Sequence, residues 1–253
     1  MANLKGKNII ITGASRGLGA ETAIRFSKSG ANLVLIAREK TELEKIRNKC
    51  KSPGNHTSIE ADLLQTDKIE SVVDKAKKFL KKIDCVVHCA GGGLGKRDPL
   101  IKQEDFTLLF KLNVIAAAEI NRVVLADMIK RKQGNIVHVG SVAGKEAIAS
   151  VGYSTVKAAL NMYVRSLGRE TAKHDVVVTG INPGGFFADG NSMDRLGKNN
   201  PDELKKFIET RLPRKKLGNV SEIIPLIEFL CSDEASMMSG CMVPIDAGEG
   251  LAT

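Results

Sequence analysis

The chain has 253 residues, of which 43% are hydrophobic and 26% charged, and this composition suits one α/β domain with a large core. The net charge of +9 permits an anionic ligand, but only 4% of the residues are aromatic, so base-stacking surfaces are not evident and nucleic-acid binding is not expected. Five cysteines, most of them in apolar segments, predict reduced and buried thiols, and four scattered histidines predict no metal site. No apolar run could cross a bilayer, and the first strand begins too early for a signal peptide. We therefore expect a cytoplasmic protein without membrane attachment.

A glycine-rich turn follows the first predicted strand. Residues 8–11 form a short apolar run, as in a strand buried in a parallel sheet, and a helical pattern begins near Ala20. Between them lies Gly13-Ala14-Ser15-Arg16-Gly17-Leu18-Gly19. Glycines at this spacing let the backbone turn tightly and approach a pyrophosphate at the helix N-terminus. The turn predicts a dinucleotide site, and a plain strand-to-helix turn is the alternative.

The end of the second predicted strand, residues 32–38, indicates which dinucleotide binds. An acid at this point binds the ribose hydroxyls of NAD, whereas an arginine accommodates the ribose phosphate of NADP. Here the strand ends at Arg38, and Arg16 projects from the glycine turn. Two guanidiniums around one phosphate predict NADP(H) in preference to NAD(H). Glu39 is a competing candidate for a ribose diol, and a solvated Arg38 is the other alternative.

Strand and helix patterns then alternate, which predicts a single doubly wound α/β domain over residues 1–253. The third strand ends at Asp62 and Leu63, beside the expected adenine pocket. The fourth strand opens into Ala90 and Gly91, where backbone can lie close to a ligand. These four residues are therefore predicted to contact the cofactor.

A long helical region spans about residues 102–132 and carries Asn113, for which a solvated or back-bonding side chain is the usual explanation. The fifth strand ends at Ser141, and the sixth delivers Pro183 and Gly184. The carboxyl ends of parallel strands are where such sheets bind ligands. Ser141, Pro183 and Gly184 are therefore expected at the mouth of the same site.

Residues 185–219 are the least regular part of the chain and are predicted to form a substrate lid. They contain one short predicted helix, with Asn200 as its cap and Pro201 as its first residue. Phe186 and Phe187, near the start of this segment, are predicted to place an apolar wall near the substrate. A last strand is predicted over residues 241–246.

The sequence Tyr153-Ser154-Thr155-Val156-Lys157 carries the predicted chemistry. Residues four apart lie on one face of a helix, so the phenol and the ammonium would be neighbours. A cation beside a phenol favours the phenolate and is expected to lower its pKa. The pair could then exchange a proton with an alcohol or ketone oxygen. By itself the pattern is also that of an ordinary amphipathic helix.

Taken together, the motifs resemble the classical short-chain dehydrogenase/reductase family along nearly the full chain, and most of all its 3-oxoacyl-carrier-protein reductase branch. The motifs that carry the resemblance are Thr12-Gly13-x-x-x-Gly17-x-Gly19, Asp62, Ala90-Gly91, Asn113, Ser141, Tyr153-x-x-x-Lys157, Pro183-Gly184 and Asp246-Ala247-Gly248. The resemblance implies a Rossmann fold with a seven-stranded parallel sheet and helices on both faces. It also implies a homotetramer, or a dimer, packed through the helices near 102–132 and 151–173.

The resemblance assigns roles to four residues. Tyr153 would be the general acid, Lys157 would hold the nicotinamide ribose and lower the pKa of Tyr153, and Ser141 would hydrogen-bond the substrate oxygen. Asn113 would hold a water that returns a proton toward Lys157. Of the four, only Asn113 rests on resemblance alone.

Three departures from the family pattern limit what can be transferred. Cys89 stands where an asparagine usually braces neighbouring strands, and Ala188 stands where a threonine often contacts the nicotinamide. The segment from Ser141 to Tyr153, which shapes the substrate pocket, is slightly short. The first departure predicts a local change in stability, the second affects cofactor affinity, and the third weakens any inference about the substrate.

The sequence therefore predicts an NADP(H)-dependent oxidoreductase that interconverts a ketone and a secondary alcohol. A 3-oxoacyl thioester is one substrate class, and an acidic acyl carrier protein could dock on the basic residues. These are Lys130, Arg131, Lys132, Lys173, His174, Arg211, Arg214, Lys215 and Lys216. Generic solvated charge is the alternative explanation of those cations. The competing substrates are sugars, polyols or other small alcohols, and a non-catalytic NADP-binding regulator is the competing class of function.

Overall fold

The computed structural model describes residues 3–251 and contains a parallel sheet of seven strands. The strands are β1 (Asn8–Thr12), β2 (Asn32–Ala37), β3 (His56–Glu60), β4 (Cys85–His88), β5 (Gly134–Val139), β6 (Val176–Pro183) and β9 (Met242–Ile245). Their order across the sheet is β3-β2-β1-β4-β5-β6-β9. The order reverses at β1 and β4, which is where a doubly wound sheet forms its ligand crevice. The predicted fold class is confirmed.

Helices pack on both faces of this sheet. They are α1 (Gly17–Lys28), α2 (Lys40–Lys49), α3 (Ile69–Leu80), α4 (Gln103–Phe110), α5 (Ala116–Arg131), α6 (Val151–Ala172), α7 (Ser192–Asn199), α8 (Pro201–Arg211) and α9 (Val220–Leu230). Helices α1, α2 and α9 cover one face, and α3, α5 and α6 cover the other. Alternate residues of one strand feed the two cores, as Ile9 and Ile10 do in β1. This explains why the strands are continuous apolar runs.

The predicted long helix is present but has a π turn in its middle. Helices α4 and α5 are joined through Lys111–Ile115, which is wound as a π-helix and carries Asn113. Such turns shift the side chains that follow and are frequent at functional sites. The turn brings Asn113 to a fully buried position, where its exposed fraction is 2%.

The segment 185–219 contains two helices, α7 and α8, so the prediction of one short helix is wrong. The predicted cap is confirmed, because the Asn200 side chain accepts from the amide of Glu203 at 3.1 Å and Pro201 is the first residue of α8. A second capped helix precedes it, since Asn191 accepts from the amide of Asp194 at 2.9 Å. Two short strands, β7 (Phe186–Phe187) and β8 (Gly218–Asn219), pair at the base of the segment.

Within residues 3–251 no helix is long and apolar enough to span a membrane. The same part of the chain contains no group of three or more His, Cys, Asp or Glu side chains arranged to hold a metal ion.

Candidate active site

The glycine turn between β1 and α1 is shaped by close backbone contacts. Gly13 and Gly17 have positive φ angles of 66° and 59°, which favour glycine. A Cβ on Gly13 would lie 2.8 Å from the amide nitrogen of Ala90, and one on Gly19 would lie 2.4 Å from the Gly13 carbonyl oxygen. Helix α1 begins here without a side-chain cap, so its first amides have no side-chain acceptor and can donate to an anion.

Thr12, which belongs to the family motif but was given no role of its own, joins this turn to the end of β4. The hydroxyl oxygen of Thr12 accepts a hydrogen bond from the amide of Ala90 at 3.2 Å. Ala90 and Gly91 are thereby held beside the glycine turn. The signal for Thr12 was its place directly before Gly13, at the carboxyl end of β1.

The predicted adenine-side residues lie at the tips of β2 and β3. Leu63 is 6% exposed, and Asp62 accepts from the amide of Leu64 at 3.1 Å. Arg16 and Arg38 are both exposed, and neither has an ion-pair partner among residues 3–251. Both cations are therefore available to an anionic group at this edge.

Tyr153 and Lys157 are side by side on α6, as predicted. The Lys157 Nζ lies 5.7 Å from the centre of the Tyr153 ring and donates to the Val139 carbonyl at 2.8 Å. Its exposed fraction is only 4%, and burial lowers the pKa of Lys157 to about 8. The Val139 carbonyl, which the sequence analysis did not single out, anchors the ammonium at the end of β5.

The pKa of Tyr153 is raised, and Lys157 is not among the groups that shift it. The prediction that Lys157 lowers this pKa is therefore wrong. Burial is the larger cause, and the hydrogen bond with Ser141 opposes it. The Lys157 ammonium donates to the Val139 carbonyl, and no hydrogen bond from it to the phenol oxygen is present among residues 3–251. The phenol is therefore protonated at neutral pH, which suits a proton donor.

Ser141 faces Tyr153 from the end of β5. Its backbone amide donates to Asn182 Oδ1 at 3.0 Å, and its hydroxyl oxygen accepts from the amide of Ala143 at 3.2 Å. The fully buried Asn182 lies on β6, directly before the predicted Pro183. Sequence reasoning missed Asn182, because only the strand pairing places it beside Ser141.

Asn113 binds backbone rather than solvent. Its Oδ1 accepts from the amide of Gly92 at 3.0 Å, while its Nδ2 donates to the carbonyls of Gly92 and Leu109 at 3.0 and 2.9 Å. A Cβ on Gly91 would lie 2.8 Å from Asn113 Oδ1 and 3.4 Å from Lys157 Nζ. Asn113 is thus back-bonded, and it also fixes the loop that borders Lys157.

Phe186 lies on β7, at the start of the segment 185–219. It packs against the core formed with α1 and α9, and it lines a pocket with Ile223 and Ile245. Phe187 is 45% exposed, and Ala188 is buried. The role of Phe186 as a substrate wall stays a prediction.

Cys89 lies close to the reacting groups. Burial raises the pKa of the Cys89 thiol to about 12, and the ammonium of Lys157 opposes the shift. The thiol is therefore neutral and poorly nucleophilic. Cys241, in contrast, is exposed, although its apolar neighbours had suggested a buried thiol.

Comparison with known proteins is consistent with this architecture. The model of the short chain dehydrogenase family matches residues 7–197. The oxidoreductase UcpA of Salmonella typhimurium is 31% identical over 99% of this chain and 97% of its own length. L-xylulose reductase of Mesocricetus auratus is 28% identical over 97% of both chains. The 3-oxoacyl-[acyl-carrier-protein] reductase FabG of Thermotoga maritima is 28% identical over 97% of this chain and 98% of its own.

Among solved structures, levodione reductase is 27% identical with a TM-score of 0.90, covering 97% of this chain and 98% of that one. The doubly wound sheet with a glycine turn at its ligand edge defines a dinucleotide-binding protein. The chain belongs to the short-chain dehydrogenase/reductase family. It is an oxidoreductase that acts on secondary alcohols or ketones with a nicotinamide cofactor.

Proposed function

We propose that the chain is an NADP(H)-dependent reductase that converts a ketone to a secondary alcohol. The observation that carries the proposal is the meeting of three side chains at one edge of the sheet. The Ser141 side chain lies close enough to the Tyr153 phenol to oppose the rise of its pKa, and the Lys157 ammonium lies 5.7 Å from the centre of the same ring. The residues of the glycine turn reach the same edge through the Thr12–Ala90 hydrogen bond.

Each catalytic side chain has a distinct task in this proposal. A bound nicotinamide supplies the hydride. Tyr153, protonated at neutral pH, donates its proton to the carbonyl oxygen, and the Ser141 hydroxyl hydrogen-bonds that oxygen as charge develops on it. Lys157 holds its charge near the phenol and binds the ribose hydroxyls. Asn113 fixes the backbone at Gly92 next to Lys157, and its task of holding a water rests on the family resemblance.

The preference for NADP(H) rests on Arg16 and Arg38. The turn is packed so closely against Ala90 and its own backbone that only glycine fits at Gly13 and Gly19, as in a dinucleotide-binding turn. Both guanidiniums are exposed and lack ion-pair partners among the described residues. The side chain of Arg16 runs along the lid, since a Cβ on Gly190 would lie 3.0 Å from its Cδ. A ribose phosphate between the two would gain charge-assisted hydrogen bonds.

A 3-oxoacyl thioester is the proposed substrate class, and a small sugar or polyol is the second candidate. One relative reduces 3-oxoacyl-carrier-protein and another reduces L-xylulose, both at 28% identity. If an acidic carrier docks at the substrate edge, the lid cations are the proposed docking site. Residues 130–132 and 173–174 lie where β5 and β6 begin, at the edge opposite Ser141. In the lid, Arg214 pairs with Glu222 at 2.9 Å, whereas Lys216 is exposed.

Residues 185–219 are proposed to act as the lid over this site. The segment is closed at its base, where the amide of Gly218 donates to the Gly185 carbonyl at 3.0 Å. Its helix α8 reaches across to the loop after β4, because Glu203 lies 3.8 Å from Arg97. Such an exposed pair is worth about 0–1 kcal/mol, so it does not prevent opening.

A homotetramer or dimer packed through α4–α6 is also proposed. Three large apolar side chains on these helices are exposed, namely Ile115 (39%), Val151 (50%) and Met162 (62%). Exposed apolar side chains on neighbouring helices are typical of a protein–protein interface. Packing of a second subunit there would remove them from water.

The experiment is an NADPH-oxidation screen against β-ketoacyl thioesters, keto sugars and steroid ketones, repeated with NADH. We expect NADPH-linked turnover of at least one ketone class, and Tyr153→Phe should lower kcat by about 10²–10⁴-fold because the proton donor is lost. Nucleotide affinity should survive the substitution. Thr155→Ala on the same helix is the matched control, because its exposed hydroxyl bonds only the Val151 carbonyl.

Two results would contradict the proposal in different ways. Full activity in Tyr153→Phe would remove the phenol from the mechanism. Tight NADPH binding with no turnover across the panel would favour the non-catalytic regulator. Salt-sensitive turnover of a carrier-linked thioester, but not of its small analogue, would support docking of an acidic carrier.

A further inference from the structure

A buried polar cluster lies behind Lys157 and has no task in the chemistry above. Its members are His88 on β4, Asn121 on α5, His138 on β5 and Tyr163 on α6. The first three are at most 5% exposed. Burying polar side chains costs free energy unless each is hydrogen-bonded, so such a cluster requires a physical explanation.

Asn121 is the centre of this cluster. Its Oδ1 accepts from His88 Nε2 at 2.8 Å, and its Nδ2 donates to the Tyr163 hydroxyl at 3.0 Å and lies 3.1 Å from His138 Nε2. The two imidazoles stack with centroids 4.5 Å apart, and the Tyr163 ring meets that of His138 edge-on at 5.8 Å. With Asn121 Nδ2 as donor, the neutral His138 accepts at Nε2 and carries its proton on Nδ1. That buried Nδ1 has no hydrogen-bond partner among residues 3–251.

The cluster joins the elements that carry the active site. His138 directly precedes Val139, whose carbonyl receives the ammonium of Lys157 at 2.8 Å. Tyr163 lies six residues beyond Lys157 on α6. The bonds from Asn121 to His138 and Tyr163 therefore fix both the strand that carries the acceptor and the helix that carries the donor. The charge of Lys157 also helps to lower the pKa of His138, after burial and His88, so the ring is close enough to respond to the ammonium.

We propose that Asn121 and His138 are positioning residues for Lys157. By holding β5 against α6 they keep the Val139 carbonyl where it fixes the ammonium beneath Tyr153. The catalytic part rests on the proposed function, since it requires Lys157 to serve the reaction. Without this contact the ammonium leaves its acceptor in part of the molecules, and a displacement of about 1 Å can cost on the order of 10²-fold in rate.

Three substitutions of His138 distinguish the role of its Nε2 from that of its Nδ1. His138→Gln places an amide near the position of Nε2 and keeps the contact with Asn121, whereas His138→Asn places one near Nδ1 and loses that contact. His138→Leu removes both. We expect kcat to fall about 10–100-fold in the Leu and Asn variants, with the KM of the ketone nearly unchanged, and to recover most of its value in the Gln variant. Melting temperatures are measured alongside.

A second measurement needs no substrate. The titration of Lys157 is followed by NMR on protein with ¹³Cε-labelled lysine, and its resonance is the one missing from Lys157→Met. In the wild type the pKa is expected at about 8, as burial dictates. In His138→Leu it should rise toward the ordinary lysine value, because the released ammonium gains solvent. The titratable groups that face Lys157 are Tyr153 on its own helix, Cys89 from β4 and His138 from β5.

The outcomes are distinct. A Gln variant as slow as the Leu variant, or a Leu variant with wild-type kcat and an unchanged Lys157 pKa, would overturn the proposal. So would losses of rate that follow melting temperature alone. If His138→Leu does not fold, Tyr163→Phe replaces it, because this variant keeps the ring and loses only the bond to Asn121. A lower kcat in Tyr163→Phe would support the proposal, and a wild-type kcat would overturn it. If the wild type reduces no ketone, the proposed function fails while the NMR titration still tests the positioning.

Discussion

At the residue scale, Arg38 tests the choice of cofactor. Its guanidinium is exposed at the tip of β2 and lacks an ion-pair partner among residues 3–251. Charge-assisted hydrogen bonds contribute about 1.5–3 kcal/mol, so Arg38→Ala should weaken NADPH binding about 10–100-fold. NADH, which lacks the ribose phosphate, should bind as before. Titration of both nucleotides by fluorescence measures the two dissociation constants.

The control for Arg38→Ala is Lys40→Ala. It removes an equal charge from an exposed neighbour at the first turn of α2 and should leave both affinities within about twofold. Equal loss of NADPH and NADH affinity in Arg38→Ala would contradict the assignment. In that case Glu39 would be tested as the ribose ligand, because it is the competing candidate at the same strand end.

At the element scale, the glycine turn has almost no room for a side chain. A Cβ at Gly19 would lie 2.4 Å from the Gly13 carbonyl oxygen, so Gly19→Ala must displace the start of α1. Overpacking of this kind costs about 1–3 kcal/mol, and we expect nucleotide affinity to fall about tenfold or more. Gly54→Ala is the matched control, because nothing lies within 4 Å of its Cβ position. Unchanged nucleotide binding by Gly19→Ala would show that the turn is not the cofactor cradle.

At the scale of the whole molecule, buried histidines set the response of stability to acid. Burial lowers the pKa of His88 from 6.5 to about 4 and lowers that of His138 as well. Between these values the unfolded chain binds the proton and the folded chain does not, so the free energy of unfolding falls as pH drops from about 6.5 to 4. The lowered pKa of His88 alone corresponds to a loss of roughly 3 kcal/mol in the free energy of unfolding once the pH falls below about 4.

Urea denaturation between pH 7 and 4.5 measures this loss. Burial is the main cause that raises the pKa of Glu249. As pH falls, the folded state therefore binds a proton at Glu249 before the unfolded state does, which raises the free energy of unfolding and partly offsets the histidines. His88→Gln should flatten the curve, because it removes one of the two fully buried imidazoles whose pKa is lowered by burial. A wild-type free energy of unfolding that stays constant over this range would contradict the prediction.

The sequence by itself determined the sheet, the glycine turn and the Tyr153–Lys157 pair. These follow from local rules, because apolar runs form buried strands, glycine permits positive φ, and residues four apart share a helix face. Only the tertiary structure decided that the pKa of Tyr153 is raised and that Asn113 is bound to Gly92. Burial, the partner of each polar atom and the Asn121 cluster depend on contacts between distant residues, and no local pattern encodes them.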